Sequence, residues 1–258
     1  MMNSKTSESR QQMCRFLAEY AGTLLGCGAT CTRIEKNVAR IADAWHQEAV
    51  MTILPRHILL SLGGNGNVST LTVPIEHCAI SFHINTQLSR LSWRIADGEM
   101  TFEEACTEYR RILRLPPANK WWTLLAASVA NAAFCRIFGG DAAAMGVVLV
   151  ATLAGYYAKQ LLASHGVDVR VTFILCAFIS SVLGATNGLF HLGSTPDIAI
   201  GTSILYLVPG IPFLNSFSDM LGGHYICALS RLANALLLTG CLSIGLCAGM
   251  LLMNTGMF

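Results

Sequence analysis

The charged residues of this 258-residue chain are distributed so unevenly that its two halves cannot fold under the same rules. Residues 1–118 contain 12 Lys and Arg and 11 Asp and Glu, whereas residues 119–258 contain only 5 and 4. A soluble domain carries charge on about a quarter of its residues. The second half is therefore no ordinary soluble domain, while the first has the charge and length of a small one. A net charge of +2 excludes a basic nucleic-acid binder.

The second half contains five apolar segments of the length that a membrane-spanning helix requires, about 20 residues. These segments are Trp121–Phe138, Ala142–Leu162, Val171–Leu192, Ile198–Phe217 and Ala228–Met253. None shows the polar face of a helix on the surface of a soluble protein. The sequence therefore predicts a small cytoplasmic α+β domain, residues 1–118, followed by an all-α bundle of five transmembrane helices, residues 119–258.

The basic residues predict how these segments are oriented, because Lys and Arg accumulate on the cytoplasmic side of a membrane. They lie before the first segment and beside every second connection after it. These residues are Arg110, Arg111, Arg114, Lys120, Lys159, Arg170 and Arg231. The polar N-terminus lacks the apolar run of a signal peptide. We expect the N-terminal domain inside the cell and the C-terminus outside.

Local patterns predict the secondary structure of the N-terminal domain. Two helices are expected over residues 9–26 and Thr86–Ala96. Two others are expected to begin at capping boxes: one at Thr32 and Glu35, ending at about Gln47, and one at Thr101 and Glu104, ending before Pro116. Strands are expected over Val50–Leu54, Ile58–Leu62 and Val68–Val73. The glycine-rich residues 63–67 should turn the last two strands into a hairpin.

Cofactor and metal sites are not expected in this domain. A phosphate-binding loop needs a helix directly after the glycines, and a strand follows them here. His57, His77, Cys78 and His83 match no zinc-binding spacing. Because no nucleotide-binding loop is present, any transport by this chain is expected to be coupled to a gradient.

The fourth apolar segment carries the strongest functional signal, since Pro209, Gly210 and Pro212 lie within four residues of it. Proline removes a backbone donor and breaks a membrane helix. Broken membrane helices often mark transport sites, although a simple kink explains the same residues. Asn215 and Asp219 follow four residues apart and therefore share a helix face.

Polar residues inside the spans are candidates for a transport pathway, because they are costly in lipid. The candidates are Asn131, Arg136, Asn215, Asp219 and Arg231, together with the helix break. Asp219 is either a proton-coupling carboxylate or a charge at a helix end. Arg136 either attracts an anionic substrate or pairs with Asp141, and Arg231 is either a pathway residue or a cytoplasmic anchor.

The run around the helix break, followed by Gly222, Gly223, His224 and Arg231, resembles the ThrE family of threonine/serine exporters. That family carries a Val-Pro-Gly-x-Pro run, then Asn, Asp, a Gly-His pair and an Arg. Further stretches that agree are Gly28-Ala29-Thr30 with Arg33 and Glu35, and Ala132-Ala133-Phe134 with Gly139-Gly140. A cytoplasmic domain followed by five spans is also the layout of the family.

The resemblance is closest to the split branch of the family, the YjjP-like proteins, and it implies a function. This chain would be one subunit of an exporter in the bacterial inner membrane, forming a homo- or hetero-oligomer. A smaller, YjjB-like membrane protein would supply the second half. The split branch implies a small carboxylate such as succinate as substrate, and the fused branch threonine or serine. A membrane-anchored hydrolase-like enzyme or a sensor is the alternative, but residues 1–118 carry no hydrolase motif.

Overall fold

The computed structural model of this chain describes residues 2–64, 67–75 and 80–253. The chain divides into two compact units. We call Met1–Pro116 together with Ile211–Ala233 the α/β unit, and Pro117–Gly210 together with Asn234–Phe258 the helical unit. Residues 211–233, which the sequence places in two membrane spans and their connection, thus group with the N-terminal residues.

The N-terminal part of the α/β unit combines helices with one small sheet. Its elements are α1 (Met2–Gly26), α2 (Cys31–Ala44), β1 (Glu48–Ile53), β2 (His57–Gly64), β3 (Asn67–Pro74), α3 (Phe82–Ala96) and α4 (Phe102–Leu113). All three predicted strands are confirmed to within two residues at each end. The third helix begins at Phe82, four residues before its predicted start, because Ser81 accepts a hydrogen bond from the backbone N–H of Ile84 and caps it.

The sheet is antiparallel throughout, with β2 between β1 and β3. Gly64 lies opposite Asn67, so β2 and β3 form the predicted hairpin, although residues 65 and 66 of its turn lie outside the described residues. Ile58, Leu60 and Leu62 alternate along β2 and are fully buried. The sheet therefore presents one apolar face to the helices.

The two predicted capping boxes have different outcomes. Thr101 accepts a hydrogen bond from the N–H of Glu104, and the Glu104 carboxylate accepts one from the N–H of Thr101, as predicted. These bonds lower the pKa of Glu104. The box at Thr32 and Glu35 is wrong, since α2 begins at Cys31 with Thr30 as its N-cap.

The end of α2 also differs from its prediction. The helix ends at Ala44 instead of about Gln47, because His46 adopts a positive φ of 52° that no α-helix accommodates.

An aromatic cluster forms part of the apolar core of the α/β unit. The Phe16 ring lies 5.5 to 5.9 Å from the rings of Trp45, Phe102 and Tyr109, in tilted and edge-on arrangements. These residues join α1, the end of α2 and α4 to a buried cluster that continues to β2. This core holds the helices of the unit on one face of the sheet.

The remaining elements follow the domain boundary that the sequence predicts near Pro116. They are α5 (Lys120–Ile137), α6 (Ala142–Ser164), α7 (Val169–Leu189), α8 (Pro196–Ser203), a 3-10 turn (Leu205–Leu207), α9 (Gly210–Leu221) and α10 (Tyr225–Leu252). α9 after its first residue, and α10 through Ala233, belong to the α/β unit. Every predicted apolar segment is helical for most of its length.

Length and composition allow three of these helices, α6, α7 and α10, to cross a membrane. A fourth crossing exists if α8, the 3-10 turn and α9 count as one span, bent by 63° at the break. The first predicted span corresponds to α5, which is not among these helices because Lys120, Asn131 and Arg136 reduce its hydropathy. These helices fit a multi-pass membrane protein.

Small residues determine the closest helix contacts inside the helical unit. A Cβ atom added to Gly245 would lie 2.9 Å from the Cβ of Ala177 and 3.0 Å from the backbone carbon of Ile174. A Cβ atom on Gly249 would meet the Ser181 side chain. The backbones of α7 and α10 therefore approach each other as closely as glycine permits, as is common between membrane helices.

Candidate functional site

Two stretches separated by 187 to 202 residues in the sequence meet in the α/β unit. The first is segment 28–31, which ends α1 and begins α2. The second comprises α9 and the start of α10. Three side chains of the second stretch bind backbone atoms of the first, and we call this arrangement the junction.

Asp219 is the centre of the junction and is fully buried. Its Oδ1 accepts a hydrogen bond of 2.7 Å from the N–H of Cys31, the first residue of α2. Its Oδ2 lies 2.9 Å from Nη1 of Arg231 in an ion pair that lacks hydrogen-bond alignment. The carboxylate thus receives both a helix N-terminus and a guanidinium group, two features that favour a negative charge.

Two further bonds complete the junction. Asn215, one turn before Asp219 on α9, donates from Nδ2 to the carbonyl of Gly28 at 2.8 Å. Arg231 donates from Nη2 to the carbonyl of Ala29 at 2.7 Å. The expectation that Asn215 and Asp219 share a helix face is confirmed, because both contact segment 28–31.

The backbone of segment 28–31 depends on a glycine. Gly28 has a φ of +87°, a conformation that L side chains rarely adopt, and a Cβ atom there would lie 3.1 Å from the Ile80 side chain. The turn between α9 and α10 likewise contains Gly223 at a φ of +82°. Both glycines permit turns that bring the binding partners of the junction together.

The two stretches also touch beside the junction. Nε2 of His224 lies 3.2 Å from Oε2 of Glu35, so Glu35 faces the start of α10 instead of the N-terminus of α2. A Cβ atom on Gly222 would lie 2.6 Å from Oγ1 of Thr32. The stretches that carry the ThrE resemblance near the start and near the end of the chain are therefore neighbours in space.

The prolines and the glycine of the fourth segment determine where α9 starts. Pro209 precedes the helix, Gly210 is its first residue, and Pro212 lies in the first turn, where no backbone donor is needed. The break turns the chain before Asn215 and Asp219. Sequence alone predicted the break, but not that α9 would pack with the N-terminal residues.

Asn131 lies in the helical unit and is buried among three helices. Its Nδ2 donates to Oγ1 of Thr152 at 2.7 Å and to the carbonyl of Thr202 at 3.0 Å. It therefore links α5, α6 and α8 and has a structural explanation.

The Asn187 side chain in α7 is fully buried without a hydrogen-bond partner in the described part of the chain.

Arg136 does not pair with Asp141 among the described residues. Its guanidinium group is exposed and donates to the carbonyl of Gly140 at 3.1 Å. Asp141 instead caps α6 through the N–H of Ala144 and accepts hydrogen bonds from Ser194. Asp141 and Arg136 thus stabilise neighbouring helix ends separately.

The sequence interpretation missed a cationic cluster in the helical unit. The half-buried Lys159 places its Nζ 5.6 Å from the Tyr156 ring and 5.5 Å from the Phe173 ring. The Tyr156 ring lies 5.8 Å from that of Tyr206, whose hydroxyl is 2.9 Å from Oγ of Ser180. Tyr206 belongs to the 3-10 turn just before the break, so aromatic rings connect the Lys159 cation to a hydrogen-bonded pair of hydroxyls at that turn.

Lys159 has no carboxylate partner within 2–64, 67–75 and 80–253. Because a cation in a membrane protein is costly without an anion, this cluster is suited to a substrate carboxylate. The signal of this cluster in the sequence is Lys159 itself, whose charge also fits the predicted orientation of the helices.

Metal binding finds no support in the described residues, where no group of three His, Cys, Asp or Glu side chains converges. His57 begins β2 and His83 lies in α3, whereas His77 and Cys78 lie outside the described residues.

Contact with the Cys227 thiol and burial raise the pKa of Cys31, so that this thiol stays protonated at neutral pH.

The comparisons with known proteins agree on one family. The profile of the ThrE family, described as "Putative threonine/serine exporter", matches residues 15–253. The chain is 27% identical over 253 residues to the "Probable succinate transporter subunit YjjP" of Klebsiella aerogenes, covering 96% of both proteins. It is 27% identical over 237 residues to the protein of the same description in Escherichia coli strain K12, covering 90% of this chain and 91% of that one.

A third relative has a different length. The chain is 22% identical over 232 residues to the "Probable threonine/serine exporter" of Mycobacterium tuberculosis, covering 88% of this chain but 43% of that protein. No solved structure matches the chain significantly.

Proposed function

Because this chain belongs to the ThrE family of exporters, we propose that it is the larger subunit of a two-component secondary exporter of a small carboxylate. Succinate or a related dicarboxylate is the first choice of substrate, and threonine or serine the second. The family is one of transporters, so the chain is a membrane exporter subunit and not an enzyme. The proposed location is the bacterial inner membrane.

One observation carries this proposal: the relatives that the chain matches over nearly their whole length are both described as succinate transporter subunits. The threonine/serine exporter from Mycobacterium tuberculosis is matched over only 43% of its length. A chain that corresponds to part of a longer exporter needs the rest from elsewhere. We therefore propose a smaller membrane protein as partner, in a hetero-oligomer.

The cluster around Lys159 supports a carboxylate as substrate. Lys159 supplies the positive charge, and the hydroxyls of Tyr206 and Ser180 supply hydrogen bonds, beside the break at Pro209. Backbone groups at a broken helix in lipid must find partners or face water. We propose that substrate passes this break, with Gly210 and Pro212 shaping it.

The junction has a different role in the proposal. Asn215, Asp219 and Arg231 fasten α9, which follows the break, to segment 28–31. We propose that the junction sets the position of α9 and so controls the break, instead of carrying a proton through the membrane. Asn131 holds three helices of the pathway together, and Arg136 attracts anions at the far end of α5.

The proposed topology keeps five spans, with α5 as the first. A helix with Lys120 at one end and Arg136 at the other can place both charges at the interfaces, since long basic side chains reach the headgroups. In this topology the N-terminal residues lie in the cytoplasm and the C-terminus outside.

Flux measurements in proteoliposomes test the function. Vesicles containing this chain together with the proposed smaller, YjjB-like partner are loaded with labelled succinate or threonine, and release is followed under an imposed proton or sodium gradient. We expect succinate release that needs both proteins, and a large loss with Lys159→Gln but not with the exposed Lys120→Gln. Threonine release without succinate release would contradict the proposal that succinate is the substrate. Full release by this chain alone would contradict the proposal that a partner subunit is needed.

A further inference from the structure

A groove of about 570 Å³ lies between α2 and α3 in the α/β unit. Arg33, Lys36 and Arg40 line it from α2, while Trp93 faces them from α3. Ser218, next to Asp219, also lines the groove. None of the residues that line the groove belongs to the helix break or to the Lys159 cluster.

The charge of this groove is uniformly positive. Residues 33, 36 and 40 lie three and four positions apart, so their side chains project from one face of α2. None of the residues that line the groove is acidic. Arg33 and Lys36 make no hydrogen bond or ion pair with any residue that the structure describes. Two cations are thus left without an anion.

The third cation is held in place. Cζ of Arg40 lies 3.7 Å from the centre of the Trp93 ring. Its Nη1 donates to Oδ1 of Asn37 at 2.9 Å and to Oγ of Ser92 at 2.7 Å. A guanidinium group fixed by stacking and by two hydrogen bonds keeps other N–H donors available and loses little entropy when it binds an anion.

From these observations we infer that the groove binds a small dicarboxylate. Successive cations on α2 are about 5–6 Å apart at their Cβ atoms, which suits two separated negative groups better than one compact phosphate. Planar guanidinium groups match carboxylates in a two-pronged geometry. The hydroxyls of Thr30 and Thr32, which also line the groove, add hydrogen-bond donors.

The position of the groove relates it to export. Thr30 belongs to segment 28–31, and Ser218 precedes the carboxylate that binds this segment. A bound diacid would therefore contact both sides of the junction and strengthen their attachment. The choice of a diacid rests on the proposed export of dicarboxylates, whereas the presence of an anion site rests on the groove alone.

Calorimetric titration of the full chain in detergent tests the site, using succinate, inorganic phosphate, acetate and threonine as separate ligands. We expect succinate to bind more tightly than the other three. The double variant Arg33→Gln/Lys36→Gln should weaken succinate binding by about tenfold or more, since two charge-assisted bonds are lost. Lys36→Arg should retain binding, and Arg56→Gln, at an exposed position outside the groove, should leave it unchanged.

The outcomes separate this inference from the proposed function. Equal binding by the double variant and the original chain, or no binding of any anion, would overturn the site. Phosphate binding more tightly than succinate would overturn the assignment of a diacid as the ligand of the groove. Succinate binding that depends on Arg33 and Lys36 supports the site even if the vesicles release no succinate, in which case only the proposed export fails.

Discussion

The α/β unit and the helical unit differ in how they bury their large apolar side chains. The N-terminal part of the α/β unit gathers most of its large apolar side chains into one extensive buried cluster around Leu17, Leu60 and Leu88. The helical unit contains only small buried clusters, and large side chains such as Phe134, Leu175 and Leu236 remain exposed. Lipid is as apolar as leucine, so the helices of the second unit gain little by hiding such residues.

The units also differ in their buried polar groups. The α/β unit contains an ion pair between the partly buried Arg231 and the fully buried Asp219, and both side chains also bind backbone atoms of the distant segment 28–31. The helical unit uses neutral groups, chiefly Asn131 with its two acceptors. The comparison implies that the first unit is most sensitive to lost charge and the second to added volume between helices.

Asp219→Asn is expected to have the largest effect. The change keeps the shape and an acceptor for the N–H of Cys31, but it leaves Arg231 without its counter-ion. Breaking such a buried pair costs about 3–5 kcal/mol. Thermal unfolding of the purified chain should show a large decrease in midpoint.

Asp97→Asn, at an exposed position after α3, is the control and should change the midpoint little. Combining Asp219→Asn with Arg231→Met should restore part of the loss, because no charge then remains buried and unpaired. Equal midpoints for Asp219→Asn and Asp97→Asn would show that the junction is not an important stabilising contact.

Gly245→Ala tests the sensitivity of the helical unit to volume. The new methyl group would press against the backbone of α7, and overpacking of this kind costs about 1–3 kcal/mol. Gly240→Ala in the same helix has open space around it and should be neutral or stabilising, since alanine favours a helix by about 1 kcal/mol. If both variants unfold alike in detergent, α7 and α10 are not in close contact.

Asn131→Ala should have a smaller effect in the same unit. It leaves the Thr202 carbonyl and the Thr152 hydroxyl without their donor, and hydrogen bonds between membrane helices contribute about 0.6–1.7 kcal/mol. The exposed Asn234→Ala provides the comparison. A denaturation series that shows no difference between these variants would argue that water or lipid replaces the lost donor.

Thr101→Ala is expected to have the smallest effect, about 1 kcal/mol, because it removes the N-cap of α4. Thr107→Ala in the middle of that helix should not destabilise the chain. Hydrogen bonds from Thr101 lower the pKa of Glu104, so the stability that they contribute is present above the ordinary glutamate pKa of about 4.3 and is lost as the pH falls below it. Chemical denaturation at pH 7 and pH 4 should show the difference between the two variants shrinking.

The elements that local patterns determine were predictable from the sequence. The strands, the cap at Thr101 and the break at Pro209 each depend on residues close together in the chain. The start of α2 did not follow this rule, because Asp219 binds its first N–H from 188 residues away. No local pattern can report such a partner.

The candidate site was predictable only in pieces. The sequence singled out Asn215, Asp219 and Arg231, but it did not indicate that backbone atoms of segment 28–31 would be their partners. The spacing of Arg33, Lys36 and Arg40 is visible in the sequence, yet only the fold shows that α3 turns this helix face into a groove. The charge of Lys159 fits the predicted membrane orientation, and nothing in the sequence around it indicates the aromatic ring of α7 that lies beside it.

The length of α10 has a consequence for the position of the bilayer. Its 28 residues rise about 42 Å, whereas the hydrocarbon layer is about 30 Å thick. The part of α10 in the helical unit, Asn234–Leu252, rises about 28 Å and by itself nearly matches that thickness. The remaining part of α10, Tyr225–Ala233, therefore adds length that a membrane span does not require, and Arg231 lies in this additional length.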